Sequence, residues 1–147
     1  MNTNPVSWTR DPIGRDDGYE VLARAVEAQA EATGAQWIAT SDRRTTAQLR
    51  WHLDDKYPVL QLDERSRYID FVEPAVAGRI GLYVYIAGAR VYAVDAVAGK
   101  YLTPLGTAER VWRGVSFGVF EIERIDGWTP DLSPPPSSPL FAWPDLV

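Results

Sequence analysis

The chain has 147 residues, 46% of them hydrophobic, with six Trp, seven Tyr, one His, no Cys and a formal charge of −5 at pH 7. That length is typical of one domain with room for a real core. The composition excludes disulfides, thiolate metal sites and cysteine nucleophiles, leaves a zinc ion only His52 and carboxylates as ligands, and argues against general nucleic-acid binding, which needs a basic face.

Residues 1–16 are polar, contain Pro5 and Pro12 and show no periodicity, so they read as a linker. They also lack the charged and apolar regions of a signal peptide. DGYEVLARAVEAQAEATG follows. Leu22, Ala23, Val26 and Ala30 recur on one helical face. Asp17 and Glu20 resemble a capping box, and Gly34 is placed to end the helix. Residues 36–40 predict a short buried strand. Residues 45–53 predict a second helix, with Ala47/Trp51 and Leu49/Leu53 four apart and a Thr45/Gln48 capping box. Residues 58–62 predict a second strand. Helix, strand, helix, strand at this spacing points to a parallel α/β sheet.

The pattern changes after residue 80. GLYVYI at 81–86 is a third strand, apolar enough to be buried on both faces. Residues 91–97 and 115–125 are further strand candidates. In the last, Val115, Phe117, Val119, Glu121 and Glu123 fall on one face, with Phe120, Ile122 and Ile125 less readily assigned. These later strands are expected as antiparallel additions at one sheet edge. Residues 128–147 are proline-rich and read as an extended tail, whose Phe141 and Trp143 are able to dock back on the domain. The stretch 76–99 is broken by Arg79, Arg90 and Asp95, so it falls short of the ~20 nearly uncharged residues of a membrane span. As it stands, the chain reads as soluble. The expected architecture is a three-layer α/β sandwich over 17–127, with a short parallel sheet, antiparallel extensions and helices on its faces.

Ligands of open parallel sheets sit beyond the carboxyl ends of the strands. Two loops fall at that edge: Ser41-Asp42-Arg43-Arg44 after the first strand, and Asp63-Glu64-Arg65-Ser66-Arg67-Tyr68 after the second. If the strands are neighbours, Arg43, Arg44, Arg65 and Arg67 surround one crevice beside a helix amino terminus, a setting suited to phosphate or carboxylate. The other reading is plainer. Thr45 caps a helix, and Asp42, Asp63 and Glu64 neutralise the arginines as surface ion pairs. The turn reads mainly as a helix start, with anion binding as a second use.

Other constellations carry less. Asp54-Asp55 face the unfavourable end of a helix dipole and read as a solvated loop. His52 beside Trp51 reads as a partly buried packing residue. No serine stands in a G-x-S-x-G elbow, and Gly78-Arg79-Ile80-Gly81 has neither nucleotide-loop spacing. No catalytic residue, metal or cofactor is implied.

RDPIGRDDGYEVLA, WIATSDRRTTAQLRWHL, YPVLQLDERSRYIDF and GLYVYI, in that order, resemble the soluble carboxy-terminal domain of bacterial membrane glycosyltransferases related to protein O-mannosyltransferases and lipid A aminoarabinose transferase. The resemblance runs from Arg10 to Gly127. It departs from the pattern at Arg43, where an aromatic is common, and at Trp51-His52, in place of Phe-Tyr. It implies a non-catalytic extracytoplasmic domain of an enzyme that transfers a sugar from a polyprenyl-phosphate carrier. The partner would be the membrane-embedded catalytic domain, and lipid or carrier phosphate would meet the arginine-lined edge. It further implies that Met1 begins an excised domain or a shortened frame, on the periplasmic side of the inner membrane. The family's catalytic carboxylates lie in its membrane domain and match nothing here. The alternatives are a free-standing module for a small anionic or sugar-phosphate ligand and a small independent enzyme.

Overall fold

A computed structural model describes residues 17–62, 76 and 78–129. The linker 1–16, the loop bearing Arg65, Arg67 and Tyr68, and the tail from 130 with Phe141 and Trp143 lie outside those residues. The described elements are α1 (Tyr19–Thr33), β1 (Trp37–Thr40), α2 (Arg43–Leu53), β2 (Val59–Gln61), β3 (Gly81–Ile86), α3 (Arg90–Ala96), a short 3-10 turn, β4 (Leu102–Trp112) and β5 (Val115–Ile125). They form one five-stranded sheet in the order β2-β1-β3-β5-β4. β1 runs parallel to β2 and β3, while β5 is antiparallel to both β3 and β4. The expected α/β class, with antiparallel strands added at one edge, is what the chain forms.

One core lies between the sheet and α1 and α2. It joins Leu22, Ala23, Val26, Ala30, Leu49 and Leu53 to Ile38, Leu82, Val84, Phe120 and Ile122. The other lies on the opposite face, where Ala93 and Val97 cover Trp37, Ala39, Leu60, Tyr83 and Tyr85. β3 is buried from both sides, which explains its unbroken apolar run. Gly81 is required there, because an added Cβ would lie 2.5 Å from the Trp37 ring. Trp37 in turn stacks on Trp128 at 6.0 Å.

Tertiary contacts move both predicted helix starts. α1 has no capping box; it begins after Gly18, at φ 84° with no side-chain cap. Gly18 lies so close to β4 that a Cβ would meet the Val111 carbonyl at 2.9 Å, and Arg110 Nε donates to the Asp17 carbonyl at 2.6 Å. Packing against a strand 93 residues away, not a local cap, sets this start. Gly34 ends α1 as expected, at φ 76°, with Ala35 N–H closing on the Ala30 carbonyl at 2.9 Å.

α2 begins two residues before the predicted cap. Asp42, extended at φ −147°, is its first flanking residue, and Thr45 lies inside the helix with a buried hydroxyl that has no partner. Thr46 takes the anchoring role: its amide and hydroxyl donate to the Asp42 carbonyl at 3.1 and 2.7 Å, and its hydroxyl also pairs with that of Thr40. At the far end Asp54 and Asp55 are exposed in left-handed conformations, φ 52° and 61°. Lys56 then ties this corner to Glu27 and Glu31 of α1, both at 2.8 Å.

Residues 91–97 are not a strand. Their valines favour β structure, but Ala89, Ala93 and Val97 stand four apart and meet the sheet on one helical stripe, leaving Val91 and Tyr92 61% and 63% exposed. The strand at 102–112 went unread because Pro104, Gly106 and Glu109 interrupt its alternation. At a sheet edge these residues are tolerated, and β4 is that edge. A register shift skips Leu105 in β4, and a second skips Phe117 in β5. The shift breaks the strict alternation expected of Val115, Phe117 and Val119, and Phe117 and Val119 line the same groove as Phe120.

Candidate functional site

At the carboxyl edge of the parallel strands, α2 starts, α1 starts and the β4–β5 hairpin passes. Between them lies a groove of about 640 Å³, within the range of small-molecule sites. Its floor is Tyr19, Phe120 and Ile86, with Phe117 at the side. Tyr19 and Phe120 meet edge to face at 6.4 Å. Arg110 lies 4.5 Å over the Tyr19 ring and 5.9 Å from the Phe117 ring, within cation–π range of both.

Asp42, Arg43 and Arg44 form the polar wall. Arg43 and Arg44 are exposed, and among the described residues neither guanidinium has a hydrogen-bond or ion-pair partner. Asp42 does not neutralise them. Its Oδ1 is buried without a partner, and its side chain leaves the amino end of α2 uncapped. The wall thus combines two exposed cations with helix amides that no side chain caps, a setting for an anion, while the donorless Asp42 oxygen is closed to the groove.

Of the sequence-predicted site residues, Asp42, Arg43 and Arg44 share this groove. Ser41 is half-buried and does not line it. Arg65, Arg67 and Tyr68 lie outside the described residues. β1 and β2 are parallel neighbours, with Thr40 opposite Gln61, so their carboxyl ends lie at the same edge of the sheet. The sequence reading missed Tyr19, Arg110, Phe117 and Phe120. The available signal was Arg-Gly at 113–114 between two β-favouring runs, a two-residue hairpin turn that by itself places 110 opposite 117; the bulge at Phe117 moves the partner to Gly118.

A second polar cluster lies nearby on the α3 face. Glu123 is 1% exposed. Its carboxylate accepts from Arg90 Nε at 2.9 Å, from the second Arg90 nitrogen at 3.2 Å, and from the Tyr85 hydroxyl. Burial, reinforced by that carboxylate, holds the Tyr85 hydroxyl well above the ordinary phenol range. The hydrogen bond to Glu123 likewise raises the Arg90 guanidinium. Every partner in this cluster is used, so it clamps α3 to β3 and β5. Among the described residues no group of His, Asp and Glu is arranged to hold a metal ion, and no helix is long and apolar enough to cross a membrane.

Comparison of the chain with protein-family models, with curated proteins and with solved structures gives no match.

Proposed function

We propose that this chain is a non-catalytic binding domain that takes a phosphorylated, hydroxyl-bearing and partly apolar ligand in the groove between α2 and the β4–β5 hairpin. Following the resemblance of its motifs, that ligand is a polyprenyl-phosphate sugar, and the domain serves a membrane glycosyltransferase on the extracytoplasmic side. One observation carries the reading: Arg43 and Arg44, without a partner among the described residues, stand beside a helix start that no side chain caps, against an aromatic floor. The phosphate would take the guanidinium groups and helix amides, sugar hydroxyls would meet Gln48, and apolar carbons would cover Phe117 and Ile86.

Titration of the chain with a short isoprenyl phosphate, kept below its aggregation threshold, tests this. Replacing both arginines, Arg43→Ala with Arg44→Ala, should weaken binding at least about tenfold, since charge-assisted bonds are worth roughly 1.5–3 kcal/mol each. Equal affinity in wild type and double variant would refute the reading. The free-standing module is supported by the same groove and differs in ligand: it predicts that a sugar phosphate without the isoprenyl chain binds equally well. The reading frame upstream of Met1 separates the two independently, since several apolar spans in frame favour the glycosyltransferase.

A further inference from the structure

Three consecutive residues at the start of α1 hold three different parts of one arginine on β4. The Asp17 carbonyl accepts from Arg110 Nε at 2.6 Å. Gly18 leaves room for the stem, since a Cβ there would lie 3.0 Å from Arg110 Cγ. The guanidinium carbon stands 4.5 Å from the centre of the Tyr19 ring. Across the hairpin the register partner of Arg110 is Gly118, which has no side chain to cover it. Arg110 is therefore held from behind while it lines the groove, and its two terminal nitrogens have no partner among the described residues.

Arg43 and Arg44 differ from it in this respect. Both are exposed, and no hydrogen bond or ion pair among the described residues fixes either side chain. A long side chain free in solvent gives up rotamer freedom when it takes a ligand, whereas one already held gives up little. A guanidinium whose Nε is engaged still presents two terminal N–H groups side by side. That fork matches two oxygens of a single phosphate, a geometry that a lysine cannot reproduce.

We infer that Arg110 is the specificity-determining residue of the groove, its pre-positioned fork gripping two unesterified oxygens of a phosphate ester. Arg43 and Arg44 then close on the same phosphate from the α2 side and contribute mainly charge. That role rests on the groove reading above and deepens it, by naming the cation that selects the headgroup. The fitting ligand turns two oxygens of one phosphate toward β4 and lays its apolar substituent on Phe117 and Ile86. A ligand carrying the apolar part alone has nothing for the fork to hold.

The test is an NMR titration of the full chain with a short isoprenyl phosphate and with the isoprenyl alcohol of the same length. Arg110→Lys keeps the charge and loses the fork. It should weaken phosphate binding at least about tenfold and leave the response to the alcohol as in wild type. The pair Arg43→Lys with Arg44→Lys should cost less, about threefold. An Arg110 that only braces α1 would, when replaced, disturb Tyr19 and the groove floor and so alter both titrations alike; that result would overturn the inference. Phosphate affinity retained by Arg110→Lys but lost by Arg43→Ala with Arg44→Ala would also overturn it, while sparing the groove reading. Equal affinity in wild type and that alanine pair would refute the groove reading itself, and a wild type that ignores the phosphate would end both. In the wild type, the Arg110 Nε–H signal, protected by its bond to Asp17, should move with the phosphate and not with the alcohol. A signal unmoved by phosphate would count against the role even if the lysine variant failed to fold.

Discussion

Arginine meets carboxylate at two places near the carboxyl edge of this sheet, with opposite results. Glu123 is buried and accepts from both Arg90 nitrogens and from Tyr85, so its hydrogen-bonding capacity is used within the fold. Asp42 also has a buried oxygen, yet nothing donates to it, and among the described residues its neighbours Arg43 and Arg44 have no partner. Both places contain the same residue types. Completeness distinguishes a clamp from a binding wall, because the first pairs its charges inside the fold while the second presents exposed cations to a ligand.

Four measurements press on that contrast. Glu123→Ala should have the largest effect on stability. It removes a buried acceptor, leaves the Tyr85 hydroxyl without its partner, and should lower the unfolding free energy by about 2 kcal/mol in urea denaturation, less than for a fully buried pair because Arg90 is half-exposed and can return to water. Groove affinity should not change; a parallel loss would merge the two sites. Tyr85→Phe should cost about 1 kcal/mol and alter the alkaline limb. Above roughly pH 10 the unfolded chain releases the Tyr85 proton while the folded chain retains it, so stability should fall as pH rises through that window. The variant should show a shallower fall.

The paired change Arg43→Ala with Arg44→Ala should move stability by no more than about 0.5 kcal/mol, despite its effect on ligand. A larger loss would return these residues to a structural role. Lys56→Met should have the smallest effect. The hydrogen bond from Lys56 holds the Glu27 carboxyl below the usual range, so its contribution is present above the unfolded pKa and disappears as pH falls through the folded one. Since Lys56 is exposed and Glu27 partly so, added salt should erase most of the difference between variant and wild type.

The first half of the fold was legible because burial there is one-sided on helices and complete on strands. The i, i+4 stripe of α1 and the apolar runs of β1 and β3 leave one solution each. Legibility failed where distant contacts decide. Val91 and Val94 favour a strand, yet the Ala89–Ala93–Val97 stripe against Tyr85 makes a helix. Pro104 and Gly106 hide a strand that only its edge position permits. Both capping boxes were locally sound and were displaced, one by β4 pressing on Gly18 and one by the Thr40–Thr46 pair. The candidate site was half-readable for the same reason. Asp42, Arg43 and Arg44 follow a strand and precede a helix, which the pattern announces. Arg110 and Phe117 reach the groove through an edge strand and a bulge, neither of which leaves a local mark.

The close approach of Gly18 to Val111 also bears on how the molecule assembles during synthesis. The amino end of α1 docks on β4, so the first of the described helices waits for a strand made 93 residues later. Until then Tyr19 and Leu22 lack their cover from β4 and β5. Contacts of such long sequence separation slow folding, and a nascent chain halted before residue 102 would expose a ready apolar surface to chaperones.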